Sequence, residues 1–456
     1  RSSPMIDRHQ TLGAIRMPSM PLSFSSLRFL AVLFLLGATS GAQEFTIPPL
    51  DKIPRIDRSS PRPGAEIMRN SAFILKFHKH SVAGESYVIL TDHQDPKYLT
   101  PLNLLARHRQ AAIIKVADLA ALHRDESREE LKKQLLERNA KYIAIAPRLQ
   151  SYRENMLLGM WELLTTLDDD PLLDVYPGLL IAPNPASFSA LIQRSIKHTP
   201  LSQSQFKPIA ISQVRTTSET RSLQKAAVLR NVFKQHDIRT PIVAIYGPQT
   251  KAAPKLPGPG VWNLSVSARK QFLTTFPKEA TTALQNSTVV IMHGHGTQGM
   301  SCSVDIDGIP KGSSNQIVLS GSCFAAAPSK SDFPKLSRIP GGYSLSQRES
   351  FALRYIDRGA TVFFGHMRLS SGFPHLYPVL ESWTQGQTVG EAYQQLINGI
   401  IQLRGFKSGN FIVNSADTSR RIRQNTLLYV LIGDPALQPF APFPQHTPTK
   451  NTFLNQ

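Results

Sequence analysis

The chain has 456 residues, of which 41% are hydrophobic and 18% charged. This balance is ordinary for a soluble globular protein of two or three domains and excludes a fibrous or wholly disordered chain. The formal net charge of +19 favours anionic surfaces or acidic substrates, but no basic run interleaved with aromatic residues predicts nucleic-acid binding. With only two cysteines, Cys302 and Cys323, a disulfide framework is excluded.

The N-terminal segment 1–42 has the pattern of a signal peptide. Arg28 precedes the apolar run FLAVLFLL, and small residues follow at Ser40 and Ala42. Eight apolar residues are too few to span ~30 Å of hydrocarbon, which needs about 20. We therefore expect export to the periplasm, the cell surface or the medium, without a membrane span in the mature chain. A buried core helix is the alternative reading of the run.

Residues 43–83 contain a stretch rich in Pro, Arg and Asp, which predicts a leader or linker. From residue 84 short apolar runs begin, and those at 87–90, 112–116 and 142–146 predict buried strands. A helix is expected between the last two, with Ser127 and Glu130 as a capping box at its start. Strand, helix and strand in this order predict an N-terminal α/β subdomain over 84–204 with parallel strands.

The second half repeats this pattern and predicts a further α/β subdomain over 205–440, followed by a tail over 441–456. Buried parallel strands are typically short and apolar, with Gly, Pro or His close behind them. In parallel sheets the functional residues lie beyond the carboxyl ends of the strands. The predicted strands are 242–246, 288–292, 317–319 and 361–364.

Two of these strands are followed by residues capable of nucleophilic catalysis. Segment 288–299 reads TVVIMHGHGTQG, and segment 317–328 reads IVLSGSCFAAAP. A cysteine attacks as the thiolate and needs an imidazole nearby to take its proton. Glycines on both sides of His295 are expected to allow a sharp turn and the close approach of a substrate. The spacing predicts that Cys323 and a histidine meet at the ends of adjacent strands.

This combination resembles the gingipain family in the caspase-like clan of cysteine peptidases. The resemblance covers roughly residues 84–440 and implies a caspase-hemoglobinase-like three-layer α/β fold with mostly parallel sheets in two subdomains. The chain departs from the family pattern where an Arg would follow Pro177-Gly178. The resemblance leaves the preferred residue at the cleavage site open. Besides the two segments above, the matching motifs lie at 87–90, 167–178, 358–365 and 431–437.

The resemblance also implies a role for each site residue. Cys323 takes the place of the nucleophile and His295 that of the general base, with His293 as the alternative base. Backbone N–H groups near Gly296 and Cys323 would form the oxyanion hole, and each donor would stabilise the transition state by about 3 kcal/mol. The implied activity is hydrolysis of polypeptide substrates through an acyl-enzyme, without a required cofactor.

Members of the gingipain family often bind calcium. Asp168 and Asp170, together with Asp169 and Asp174, supply oxygen donors of suitable hardness. The resemblance therefore implies a structural calcium site in this segment. A solvated acidic turn is the alternative, because no complete calcium-loop pattern is present.

Three other interpretations of the motif residues remain open at this point. Cys323 could be a buried structural thiol or form a disulfide with Cys302, and either would exclude thiol catalysis. The chain could also be a non-catalytic binding module with the same fold. A zinc-dependent hydrolase would use the His-Gly-His pair, although the HExxH pattern is missing. Candidates for its further ligands are His366, Asp305 and Asp307.

Overall fold

The computed structural model describes residues 84–216, 221–234, 237–250, 255–266, 275–310, 315–328, 350–368, 370, 376–407, 411 and 426–444. The predicted signal peptide, the predicted leader and the chain beyond residue 444 lie outside this set. Among the helices described, each is too short or too polar to cross a bilayer.

The first half of the described chain alternates strands with helices, as its hydrophobic pattern predicts. Each strand is a short apolar run with no charge at its centre, so it can be covered on both faces. In chain order the elements are β1 Ser86–Thr91, α1 Pro96–Arg109, β2 Ala112–Lys115, α2 Asp125–Glu137, β3 Ala140–Ala146, α3 Glu154–Leu164, β4 Tyr176–Leu179 and α4 Pro185–Lys197.

The second half adds further strands and helices, including a small separate sheet of three strands. In chain order the elements are β5 Pro208–Thr216, α5 Arg221–Lys234, β6 Ile242–Gln249, β7 Val261–Ser265, α6 Lys278–Gln285, β8 Val289–His293, β9 Gly296–Thr297, β10 Met300–Ser301, β11 Val304–Asp305, β12 Ile317–Ser320, α7 Phe351–Arg358, β13 Val362–His366, α8 Tyr377–Thr384, α9 Val389–Arg404 and β14 Tyr429–Ile432.

The capping box predicted at Ser127 is wrong. Helix α2 begins at Asp125, and its N-cap residue Arg124 makes no side-chain capping bond. Glu126 therefore lies in the first turn, where negative charge interacts favourably with the positive end of the helix dipole. Ser127 thus lies inside the helix and not at its N-cap.

The fold is α/β, with one large and mostly parallel sheet. Its eleven described strands lie in the order β2-β1-β3-β4-β14-β13-β12-β8-β5-β6-β7. The first half contributes the first four strands and the second half the rest, so the two predicted subdomains share a sheet. Strand β14 joins the halves by pairing parallel to β4 and antiparallel to β13. The sequence pattern predicts separate sheets, because the segment of β14 is recognisable in it only as a motif and not as a strand.

The two halves also share a hydrophobic core. A single cluster of buried side chains extends from Tyr87 to Phe440. At its centre the buried Trp161 of α3 donates a hydrogen bond to the carbonyl oxygen of Leu427, just before β14, at 2.9 Å. Tyr152 similarly donates to the carbonyl oxygen of Ala326 at 2.7 Å. The first half therefore packs directly against the segment that follows Cys323.

A buried carboxylate fixes the segment after β14. Asp434 is fully buried and accepts hydrogen bonds from Arg109 Nε at 3.0 Å and Nη2 at 2.7 Å. The hydroxyl of Tyr87 donates to its other oxygen at 2.8 Å. Charge-assisted bonds of this kind compensate the desolvation of a buried charge only when all partners are present.

We expect Asp434→Ala to lower the free energy of unfolding by about 3 kcal/mol, because the substitution leaves the Arg109 guanidinium half-buried without its carboxylate. The matched control is Glu137→Gln, which breaks the exposed Lys133–Glu137 pair of α2 and should cost less than about 0.5 kcal/mol. Urea denaturation measures both. Equal costs for the two variants would contradict a structural role for Asp434.

Candidate active site

Four neighbouring strands deliver the candidate site residues to one edge of the large sheet. The strands lie side by side in the order β13-β12-β8-β5. Ser370 follows β13, Cys323 follows β12 and His295 follows β8, while Gln213 lies within β5. Strands β12 and β8 are parallel, with Ser320 opposite Met292. Because carboxyl ends of parallel strands meet at the same edge, the loops after them are brought side by side.

The loop after β8 and the loop after β12 are in backbone contact. A Cβ atom added to Gly296 would overlap the carbonyl oxygen of Cys323 and lie 2.7 Å from the Cβ of Ser322. Any side chain at Gly296 would therefore force the histidine loop away from the cysteine loop. The contact places the backbones of His295 and Cys323 in the same small region.

Gly294 is also required by packing. A Cβ atom there would lie 2.7 Å from the Cβ of Gln213 and 3.1 Å from the sulfur of Cys302. Neither Gly294 nor Gly296 has a φ in the left-handed region. The chain bends at Gly294, but neither position needs the conformational freedom of glycine. The glycines are needed because the protein itself packs tightly on both sides of His295.

The two candidate bases differ in exposure. His293 is the last residue of β8 and is buried, and its Nδ1 lies 4.0 Å from the position that a Cβ of Gly321 would take. His295 is exposed to solvent. An imidazole that exchanges protons with a substrate must be accessible to it, so this difference favours His295 as the base. The assignment of the base stays a prediction.

The sulfur of Cys323 is half-buried and lies beside Ser370. The Ser370 backbone N–H donates to it at 3.3 Å, and the Ser370 hydroxyl lies 3.2 Å away. Sequence analysis missed Ser370, which is 47 residues from Cys323. Its place shortly after β13, the strand next to β12, is the signal that could have identified it.

Two amides around the candidate oxyanion position already have acceptors. The His295 N–H donates to Gln213 Oε1 at 2.9 Å, and the Phe324 N–H donates to the carbonyl oxygen of Arg368 at 2.9 Å. In the β9–β10 hairpin Gly296 lies opposite Ser301. The next pair along the hairpin, His295 and Cys302, is hydrogen-bonded, because the Cys302 N–H donates to the His295 carbonyl oxygen. Since bonded and non-bonded pairs alternate in an antiparallel ladder, Gly296 and Ser301 form a non-hydrogen-bonded pair, and the Gly296 N–H points away from β10.

The two cysteines are both free thiols, so the alternative of a Cys302–Cys323 disulfide is wrong for this structure. Cys302 is fully buried behind the site, with its sulfur 3.5 Å from the hydroxyl of Ser322. Burial raises the pKa of the Cys302 thiol to about 12, against a weaker opposing effect of hydrogen bonds from Ser322 and Ser301. Cys302 therefore stays protonated at neutral pH, whereas Cys323 is partly accessible.

The ligand set for the zinc interpretation does not come together. Within the described ranges, the only three potential metal-ligating groups that converge are Asp168, Asp170 and Asp174. His293 and His295 are thus not joined by a third ligand from His366 or from the aspartates near β11. His366 is fully buried beside Tyr429, and burial lowers its pKa to about 3, so it stays neutral and packs in the core.

The acidic turn after α3 brings three carboxylates within 4.8 Å of one another. Partial burial is the main cause that raises the pKa of Asp174 to about 8, and the neighbouring charge of Asp168 adds to it. The turn is also held by hydrogen bonds from backbone N–H groups to its carboxylates, such as that from the Asp170 N–H to Asp168 Oδ1 at 2.8 Å. Three oxygen donors suit a hard cation such as calcium, and the calcium site at Asp168 and Asp170 stays a prediction.

Comparison with known proteins yields few matches. No protein-family model matches the chain, and no curated protein matches it. Among solved structures, it is similar to a chain of the Saccharomyces cerevisiae separase–securin complex, with a TM-score of 0.34 and 13% sequence identity over 64% of this chain. The chain spans only 15% of the length of that protein. A likeness of this degree does not identify a family.

We expect iodoacetamide to modify Cys323 at least about tenfold faster than Cys302 in the folded protein, because a buried, protonated thiol reacts slowly. Peptide mass spectrometry over a time course measures both rates. In urea the two rates should become similar, which serves as the control. Faster reaction at Cys302 in the native protein would contradict the assignment of roles to the two thiols.

We also expect Asp174→Asn to stabilise the protein increasingly between pH 4.5 and pH 9 in buffer with chelator. The pKa of Asp174 is raised on folding from 3.8 to about 8, so the folded wild type holds a proton that the unfolded chain releases. Wild-type stability therefore falls as pH rises through this interval, and the variant avoids the loss. Melting temperatures at several pH values measure the difference, and a constant difference would contradict it.

Proposed function

We propose that the chain is a cysteine-type endopeptidase in which Cys323 is the nucleophile and His295 the general base. The observation that carries the proposal is the backbone contact between Gly296 and Cys323 at the ends of two adjacent parallel strands. The contact brings the backbones of an exposed histidine and a partly accessible cysteine close together, and thiol catalysis requires an imidazole beside the thiol.

In the proposed reaction His295 takes the proton of the Cys323 thiol, and the thiolate attacks the carbonyl carbon of a peptide bond. The resulting imidazolium then donates its proton to the leaving amine, and a thioester acyl-enzyme remains. Water, deprotonated by His295, hydrolyses the thioester and restores the thiol. The Ser370 backbone N–H lies 3.3 Å from the sulfur and helps to hold it in place for the attack.

The backbone N–H groups of Gly296 and Cys323 are the proposed donors to the oxyanion of the tetrahedral intermediate. The two neighbouring amides, of His295 and Phe324, are already engaged with Gln213 and Arg368. The N–H groups of Gly296 and Cys323, which the sequence motifs also indicated, are therefore the pair we propose for the oxyanion hole. Donors fixed before the reaction stabilise the developing charge without a cost of reorganisation.

We further propose that this peptidase is gingipain-like, with a caspase-like fold, and that it acts on polypeptides after export. The order of the histidine and cysteine strands and the Gly433-Asp434-Pro435 motif support the family assignment. Its signal peptide and leader lie outside the described residues.

A structural calcium at Asp168 and Asp170 is part of the same proposal, and the convergence of their carboxylates supports it. Calcium should then raise the melting temperature of the wild type but not of Asp174→Asn.

The direct test is cleavage of a library of internally quenched peptides by the purified protein. We expect Cys323→Ala to abolish cleavage and His295→Ala to lower kcat at least about a thousandfold. His293→Asn is the matched control for the base, because it changes the neighbouring histidine, and should lower kcat less than about tenfold. Iodoacetamide should inactivate the wild type.

Other outcomes would favour other functions. Retained activity in Cys323→Ala would contradict thiol catalysis. A larger loss from His293→Asn than from His295→Ala would contradict the assigned base. Absence of cleavage, together with a tightly bound protein partner, would favour the non-catalytic binding module.

A further inference from the structure

The backbone of His295 is held on both sides although its side chain is exposed. Its N–H donates to Gln213 Oε1 at 2.9 Å, and its carbonyl oxygen accepts from the Cys302 N–H at 2.8 Å. Loops that carry exposed side chains are usually more mobile than the strands they connect. Here both hydrogen-bonding groups of the residue are satisfied by protein partners, so its Cα position is fixed by more than the loop itself.

Gln213 connects His295 to a second fixed element. It lies on β5, one residue beyond Ser212, which pairs with His293 of β8. While its Oε1 accepts from His295, its Nε2 donates to the hydroxyl of Ser303. One buried amide therefore joins the histidine loop to the turn between β10 and β11.

That turn is strained. Cys302 and Ser303 are the two residues between β10 and β11, and both have positive φ, at 54° and 63°. Two-residue hairpins of this type favour Asn-Gly, because side chains other than Asn and Asp are disfavoured in the left-handed region. Such strain persists only where surrounding contacts hold it. The Gln213–Ser303 bond and the burial of Cys302 are contacts of this kind.

Packing leaves Gln213 little freedom to move away. A Cβ atom on Gly294 would lie 2.7 Å from the Cβ and 3.2 Å from the Oε1 of Gln213, so the backbone of Gly294 lies directly against this side chain. The amide is only 9% exposed. Its two hydrogen bonds cannot be replaced by bulk water if they are lost, which makes them costly to break.

From this geometry we propose that Gln213 is a positioning residue for catalysis, and that it acts by holding His295 through its backbone. The proposal rests on the proposed function, since His295 is the general base there. A base displaced by about 1 Å can cost about a hundredfold in rate, so fixing the Cα of an exposed imidazole has a kinetic effect. Gln213 touches neither the thiol nor the substrate in this account.

The test compares Gln213→Met with Gln213→Glu, using the best-cleaved internally quenched peptide. Met has a similar size but makes neither hydrogen bond, so we expect kcat to fall about 10- to 100-fold with KM within about twofold. Glu can still accept from the His295 N–H, and the Ser303 hydroxyl can donate to it. We therefore expect Gln213→Glu to restore kcat to within about fivefold of the wild type.

Gln316→Met is the matched control. Gln316 is another fully buried amide, and its Nε2 donates to the carbonyl oxygen of Ser287 at 3.0 Å. It precedes β12, at the opposite edge of the sheet from the site. The control variant should lose comparable thermal stability but keep kcat within about twofold. This separates a general loss of stability from a loss of positioning.

Hydrogen exchange at the His295 amide provides a readout that does not need activity. Protection of this amide in the wild type, its loss in Gln213→Met and its return in Gln213→Glu would support the proposal together with the kinetics. Unchanged kcat or unchanged protection in Gln213→Met would overturn it while leaving the peptidase function intact. A wild type that cleaves no peptide would overturn the proposed function first and the role of Gln213 with it.

Discussion

The contact between the backbones of Gly296 and Cys323 is the constraint on which the candidate site depends. It exists because β8 and β12 are adjacent and parallel, so that the loops after them leave the sheet at the same edge. The absence of a side chain at Gly296 allows the two loops to touch. Neighbouring strands add Ser370 on one side and Gln213 on the other, so the sheet order itself arranges the thiol, its hydrogen-bond donors and the histidine.

Burial distinguishes between residues of the same type in this site. Cys302 lies against Gly294 and Cys323 against Gly296, yet burial raises the pKa of the Cys302 thiol to about 12, while Cys323 is partly exposed. His293 is buried in β8, while His295 is exposed after it. In each pair the buried residue packs beneath the site, and the accessible residue is the one available for proton transfer or nucleophilic attack.

The sequence was sufficient to predict the α/β class, most strands of the sheet and the segments that carry Cys323 and His295. This follows because buried parallel strands are apolar throughout, and reactive residues directly after them are easily noticed. Ser370 was missed although it follows a predicted strand, because only the sheet order shows that this strand lies next to the strand before Cys323. Gln213 is an ordinary polar residue whose importance likewise arises from sheet order. Strand β5 has polar residues at Ser212 and Gln213, which concealed it.

Other features depend on contacts distant in sequence. Strand β14 is a short run whose insertion between β4 and β13 merges the two halves into one sheet, and local pattern does not reveal a partner. The role of Asp434 likewise depends on Arg109 and Tyr87, from the opposite end of the described chain. The glycines around His295 are explained by packing against Gln213, Cys302 and Cys323, which local sequence does not reveal.

The most direct test of this account is a crystal structure of the protein with Cys323 alkylated by a peptidyl chloromethyl ketone. The distance to measure joins the Cys323 sulfur to the nearer imidazole nitrogen of His295. The account predicts a separation within about 4 Å, close enough for proton transfer once the substrate analogue is bound. An imidazole of His295 turned away from the sulfur, with His293 or no histidine in reach, would contradict it.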